Sequence, residues 1–346
     1  MRTGSRLLVA AAAAVLTTAL STGGASADPA VPVAQDIVGV GAGTTQGLMN
    51  QLALDYDAQL AARSDTTSPR LYSWDSTGTS TILTKAGATP IARPHGAWAG
   101  AKALGSYSSA TVDFARVDRG PLVGDQPALD FVVLAKDAVT WAAQVGGNAP
   151  EALSPAQLKA IYQCDVTTWN QIDPSKPATA IKPFLPFAGS GTRVDFLKAI
   201  GNPTLSPCVQ DGPEENQGTD SRLNDPDVVF PYSVGDYVGQ TVGGHGTATD
   251  GPGGLSLRGV ALGPTNTAVP PVVNGIINTA LANSAFGRVV YNTFRDAEFT
   301  AGDAHGNALR AIFGRSGWIC TDATAKADIK SHGFLVTPAC GAYLQG

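Results

Sequence analysis

Ala188-Gly189-Ser190-Gly191-Thr192-Arg193 lies between an apolar run at 181–187 and a helical pattern carrying Val194, Phe196, Leu197 and Ile200. This is a strand–loop–helix junction built from small residues and hydroxyls. A second junction of the same design stands near the other end: a strand at 36–40, then Gly41-Ala42-Gly43-Thr44-Thr45. A helix follows it, with Leu48, Met49, Leu52 and Tyr56 on one face. The first turn of a helix exposes unpaired N–H groups and the positive end of the helix dipole. Glycine lets backbone approach a ligand, and Ser and Thr hydroxyls add donors. Either junction alone reads equally as an ordinary N-cap. Two of them, in different halves of the chain, form a pair of anion-binding ends able to face each other across a cleft.

Working outward, apolar runs alternate with helical patterns almost throughout, which reads as α/β. Further strands are expected at 70–74, 111–115, 131–134 and 288–293, with a turn at 116–121. The run at 181–187 holds Pro183 and Pro186, which places it at a sheet edge. Ser154-Pro155 opens a helix through Tyr162, with Ser at the N-cap and Pro at the first helical position. Helices are expected at 272–286 and 323–331, a Gly-rich loop at 241–254, and an extended piece at 334–338.

The chain has 346 residues, enough for two domains, and 43% of them are hydrophobic. Lys plus Arg number 23 against 28 Asp plus Glu, with the basic residues scattered singly. That balance excludes a nucleic-acid binder, which needs a basic face. Arg2 and Arg6 precede an apolar stretch at 7–20, and Ala25-Ser26-Ala27 fits the small-x-small cleavage rule. Residues 1–27 therefore read as a Sec-type signal peptide cleaved near Ala27-Asp28, and the mature chain as secreted without a lipid anchor. No later run is long and apolar enough to span a bilayer. Export puts Cys164, Cys208, Cys320 and Cys340 in an oxidising compartment. Three pairings are open, and spacing favours Cys164–Cys208 with Cys320–Cys340, each closing a local loop. With no C-x-x-C and no paired His nearby, a zinc site is not expected.

Motifs for other chemistries fail. Gly41-Ala42-Gly43 meets its next Gly at 47, one residue too far for the dinucleotide fingerprint, and no P-loop occurs. Ser190 sits in G-S-G rather than in a nucleophile elbow. His95, His245, His305 and His332 are isolated, without a positioned partner in sequence. The reading is of a protein that is not an enzyme and carries no cofactor.

Three stretches occur in order: Gly41-Ala42-Gly43-Thr44-Thr45, Asp113-Phe114-Ala115-Arg116-Val117-Asp118-Arg119 and Ala188-Gly189-Ser190-Gly191-Thr192-Arg193. Together with Leu153-Ser154-Pro155, Trp169-Asn170 and the ending Gly333-Phe334-Leu335-Val336-Thr337-Pro338, they resemble the type 2 periplasmic-binding-protein family, in its phosphate ABC transporter substrate-binding branch, as a secreted actinobacterial-type member. The resemblance implies two α/β lobes joined by two crossing strands, with a small oxyanion held between them. Lobe 1 would comprise residues 28–130 and 288–346, lobe 2 residues 131–287. It further implies a monomer, a phosphate-like ligand and an ABC transporter permease as partner.

On the same resemblance, Thr44 and Thr45 would donate from the first lobe, and Ser190, Gly191 and Thr192 from the second. Arg116 is counted among the ligand residues, and Arg193 would supply charge suited to an oxyanion. Asp118 matches a family carboxylate that accepts a proton from the bound anion, which selects hydrogenphosphate over sulfate; its alternative is a turn residue paired with Arg119. The chain departs from the pattern in three places. Phe184-Leu185-Pro186-Phe187 lacks the family's Arg ahead of the glycine loop, Pro94-His95-Gly96-Ala97-Trp98-Ala99-Gly100 lacks a hydroxyl, and Val117 replaces a Ser. Trp98 offers a stacking surface to a larger ligand or simply packs in its loop. Two further readings stand beside oxyanion capture: a secreted scaffold or adhesion-type protein that kept the fold and lost the ligand, and a secreted hydrolase.

Overall fold

The run Ile37-Val38-Gly39-Val40-Gly41 is buried along its whole length and forms the first strand, β1 (Ile37–Gly41). The helix behind it, α1 (Gln46–Ala62), turns Leu48, Met49, Leu52, Ala53, Tyr56 and Leu60 inward, the face its spacing predicts. The computed structural model describes residues 28–125 and 128–345. The expected signal peptide, 1–27, lies outside the described residues.

The 12-stranded central sheet also includes β2 (Leu71–Ser73), β3 (Phe114–Val117), β4 (Leu129–Gln144), β5 (Lys182–Leu185), β6 (Gln210–Asp211), β7 (Val228–Ser233), β8 (Leu255–Leu262) and β9 (Gly287–Arg295). Their order is β2-β1-β3-β9-β4-β7-β5-β6, with β8 joined to the far end of β4. The β1–β2 and β1–β3 pairs are parallel, as are β7–β5 and β5–β6. Between these parallel ends, β9 and β4 run antiparallel through the middle, Arg295 facing Leu129 and Gly287 facing Ala138.

Those two strands carry the chain between two lobes. In the first lobe, alternate residues of β1 feed opposite faces of the sheet: Ile37 packs with Leu48, Leu52, Phe114 and Phe313, while Val38 and Val40 pack with Ala97, Leu104 and Phe131. The second lobe buries Trp141, Tyr162, Trp169, Phe196 and Phe286 together. Each such side chain contributes about 1.5–3 kcal/mol by leaving water. Along β4, Phe131 to Ala135 belong to the first lobe's core and Ala138, Val139 and Trp141 to the second's. We propose the lobe boundaries at Lys136-Asp137 and at Gly287-Arg288, the former lying inside β4 and later than the 130/131 boundary expected from sequence.

Several local expectations are met by visible causes. The Ser154 cap on α2 (Pro155–Tyr162) is a reciprocal capping box with Gln157. The helix Ala323–Ser331 and both disulfides, Cys164–Cys208 and Cys320–Cys340, are present. Three readings need correction. Residues 272–286 are not one helix: Asn274 and Gly275 take positive φ (52° and 76°) and turn a hairpin between Val272–Val273 and Ile276–Ile277, and only Thr279–Ala282 is helical. Asn-Gly is a favoured two-residue hairpin turn, and that local preference overrides the apolar spacing. The expected strand 131–134 is part of a strand of 16 residues. Finally, β5 lies one place in from the edge, covered by the two-residue β6. Among the described residues no helix is long and apolar enough to cross a membrane.

Candidate functional site

The loop after β1 is held from beneath. Gly41 has φ +119°, and a Cβ there would stand 2.5 Å from the Arg116 carbonyl oxygen, so the turn needs glycine. The Arg116 guanidinium, fully buried, donates to the carbonyls of Ala42 (2.9 Å) and Gly41 (3.3 Å) and to Ser73 Oγ (2.6 Å). Burial pulls its pKa down to about 10, which still leaves it charged. Arg116, counted among the ligand residues on sequence, here spends its donors on the loop carbonyls and Ser73. It braces the carbonyl side of the loop while the N–H side faces the second lobe.

On that second lobe, α3 (Gly191–Ala199) begins at Ser190, whose Oγ accepts from the Arg193 N–H at 3.1 Å and caps the helix. The same hydroxyl donates to Glu215 Oε2 at 2.6 Å. The other oxygen of that carboxylate accepts the Gly43 N–H of the first lobe at 3.0 Å. Glu215 therefore sits between the two junctions, held by one donor from each.

Beside it, Asp118 at the end of β3 occupies the mouth of α3. A Cβ at Gly191 would lie 2.0 Å from Asp118 Oδ1, so only glycine admits this approach. Asp118 Oδ2 accepts from Thr44 Oγ1 (2.7 Å), Arg288 Nη1 (3.2 Å) and Thr192 Oγ1 (3.4 Å). Thr44 Oγ1 in turn accepts from Asn216 Nδ2 at 2.9 Å. Arg288, at the start of β9, also donates to Thr192 Oγ1 (3.1 Å), to the Asp118 carbonyl (3.1 Å) and through Nε to Asp137 Oδ2 (2.8 Å). Asp137 is fixed by Ser233 Oγ and the Gly235 N–H, both at 2.8 Å. Among the described residues, Asp118 Oδ1, Thr45 Oγ1 and Asp195 Oδ2 are buried without a hydrogen-bond partner.

The cluster is rich in acids around one strong base. Burial opposes the charge on Arg288, and the carboxylates of Asp137, Asp118 and Asp195 more than reverse this, raising its pKa further. Burial, then repulsion from Asp118, pushes Glu215 up to about 7. Burial likewise pushes Asp195 up to about 6 against the pull of Arg288. A cavity of about 20 Å³ beside Glu215, lined by Gly43, Gln46, Ser76, Asp236 and Asp250, has room for one water and not for a tetrahedral oxyanion.

Of the residues expected from sequence, Thr44, Asp118, Ser190, Gly191 and Thr192 meet in this cluster. Thr45 is buried next to it at the start of α1. Arg193 is not part of it: its guanidinium bonds the Pro186 carbonyl at 2.9 Å and the Asp211 carboxylate at the surface. The alternative pairing of Asp118 with Arg119 is also absent, because Arg119 forks onto Asp125 at 2.6 and 2.8 Å. Sequence reasoning missed Arg288, Asp137, Glu215 and Asn216. A charged residue heading the apolar strand 288–293 was the one available signal for Arg288. Among the described residues, no group of His, Cys, Asp and Glu is arranged to hold a metal ion.

Residues 17–278 match the family model described as the PBP superfamily domain. Among solved structures, the chain is similar to a putative phosphate ABC transporter substrate-binding protein with bound phosphate from Clostridium perfringens, at 15% identity and TM-score 0.57, covering 87% of this chain and 99% of that one. It is also similar to an ABC-type phosphate transport receptor from Vibrio cholerae, at 15% identity and TM-score 0.54, covering 87% and 100%. A third likeness is the ancestral soluble variant of the human phosphate binding protein, at 17% identity and TM-score 0.54, covering 88% and 91%. At these identities the likeness is one of fold. No curated protein sequence matches the chain.

Proposed function

The chain belongs to the PBP superfamily, and from that premise we propose that it is an exported solute-binding protein that takes a small oxyanion of the phosphate class between its lobes. The observation that carries this reading is the Glu215 carboxylate, gripped by the Gly43 N–H from one lobe and the Ser190 hydroxyl from the other. Donors that hold one anionic group from both sides can hold another. Closure of the lobes on a bound oxyanion would follow from contacts made only in the closed form. Asp118 sets the protonation state of the ligand. An oxyanion without a proton would leave two negative groups face to face, at about 4 kcal/mol for 4 Å in a partly buried setting. An oxyanion that donates a proton to Asp118 turns that repulsion into a hydrogen bond. Phosphate is the first solute to test, and delivery to an ABC transporter permease is the role we assign to the loaded form. The cluster offers a carboxylate gripped by fixed donors and no activated nucleophile, which supports binding rather than catalysis.

A second reading is favoured by the same carboxylate: a lobe junction already filled by its own side chain suits a secreted scaffold that no longer takes a ligand. Isothermal titration with phosphate, arsenate and sulfate separates the two. Binding of phosphate and arsenate but not sulfate is expected; no heat with any of them at millimolar concentration supports the scaffold.

A further inference from the structure

We propose that Glu214-Glu215-Asn216 is a strap built into the second lobe, which holds the lobes shut by seating its own carboxylate among the anion donors, so that a solute oxyanion enters by displacing Glu215. Three consecutive residues each reach the first lobe. Glu214 Oε2 meets His95 Nε2 at 2.7 Å, Glu215 takes the Gly43 N–H, and Asn216 Nδ2 donates to Thr44 Oγ1. His95 adds a flat stack on Phe187 of the second lobe, ring centroids 3.9 Å apart.

The strap is also anchored to its own lobe, at Asn216 through the same side-chain amide that makes the crossing. The Pro213 carbonyl accepts the Phe187 N–H at 3.1 Å, Asn216 Oδ1 accepts the Ser233 N–H at 2.8 Å, and the Asn216 carbonyl accepts Gln240 Nε2 at 2.9 Å. Side chains alone make the crossing, so release of the lobes needs changes of rotamer and no refolding of the loop. Glu215 is also a poor permanent occupant. Burial and the neighbouring Asp118 both oppose its charge, and its two oxygens are taken up by Gly43 and Ser190, whereas an oxyanion carrying a proton would face Asp118 as a donor. The strap thus closes the empty protein with a bond set weaker than the one a protonated oxyanion makes.

The displacement half of this proposal rests on the oxyanion reading; the closure half does not. The test uses the full mature chain with Glu215→Ala, Glu215→Gln and the rim variant His95→Ala, which leaves the buried cluster intact. Small-angle scattering without solute reads closure, and titration with inorganic phosphate reads competition. The expected results are a larger radius of gyration for Glu215→Ala and, to a lesser degree, for His95→Ala. Phosphate affinity of Glu215→Ala should rise about tenfold or more, the value of one charge-assisted hydrogen bond no longer to be displaced. Glu215→Gln, which still fills the space without the charge, should fall between. Variants as compact as the wild type overturn the strap. Expansion with no phosphate binding in any form keeps the strap and removes the oxyanion reading. Weaker phosphate binding by Glu215→Ala than by the wild type makes Glu215 a ligand contact and overturns displacement.

Discussion

Arg288→Met tests whether one guanidinium holds the lobe junction together. Arg288 is 3% exposed as a side chain and bonds Asp137, Asp118 and Thr192, with Asp195 3.9 Å away. Methionine fills most of the volume and removes the charge. Asp137 then keeps only Ser233 and the Gly235 N–H, and Asp118 only hydroxyls, so two buried carboxylates lose their counter-charge. Breaking a buried pair from one side costs about 3–5 kcal/mol, most of it the penalty of the charge left behind. With an m-value unchanged, the urea midpoint should fall by that amount divided by m. The loss should be smaller at pH 5 than at pH 8, because an orphaned carboxylate escapes by taking up a proton. Asp137→Asn added to Arg288→Met should recover part of the loss, since the amide oxygen still accepts the Gly235 N–H and no charge remains there. A single-variant loss under about 1 kcal/mol at pH 8 would falsify the claim that Arg288 compensates these acids.

Three further outcomes follow from the same geometry. In the Glu215→Ala background, where no internal carboxylate shares the donor, Ser190→Ala should weaken phosphate binding about ten- to a hundredfold and Arg193→Ala by less than about twofold, because Arg193 faces Asp211; titration calorimetry reads both. Glu215, raised to about 7 from its ordinary 4.5, holds in the folded chain a proton that the unfolded chain has released. Stability should therefore fall as pH rises between about 4.5 and 7, and Glu215→Gln should flatten that slope in urea titrations. The groups facing it are Asp118, Arg288, Arg116 and Asp236, while His95, raised by its bond to Glu214, adds a slope of the same sign that His95→Ala removes. Replacing Cys320 and Cys340 by Ser opens a loop of 20 residues and should lower stability by about 3 kcal/mol, read as a shifted melting midpoint under non-reducing conditions.

What the sequence showed of this site divides along the reach of the forces involved. The Ser190 cap, the glycine-lined turns and the Ser154–Gln157 box were legible because each is settled within four residues by local hydrogen bonding. The α/β class was legible because strand and helix patterns alternate along the chain, whereas the two lobes came only from the family resemblance. Which side of a helix faces the partner lobe was not. Thr192 and Asp195 are three residues apart on α3 and share the face turned to Arg288, whereas Arg193, one step of the helix round, comes out against Pro186 and Asp211. Both residues lie in the same first turn, and only the docking of Phe196 into the core decides between them. The missed residues are separated further still: Arg288 from Asp118 by 170 positions, and Glu215 from Gly43 by 172.

That separation also accounts for the apparent gaps in the family pattern. The positive charge missing from 184–187 is present in space, delivered by Arg288 from the second crossing strand and fixed by Asp137 from the first. Its bonds to Asp137 on the first crossing strand and to the carboxylate and carbonyl of Asp118 tie this guanidinium to both ends of the cluster. The donors on the loops, Gly43 and Ser190, sit on opposite lobes and meet on the Glu215 carboxylate. On the reading proposed above, an anion would be retained by the loop donors rather than by Arg288, whose charge Asp118 and Asp137 already match, and the strap carboxylate would hold its place until then.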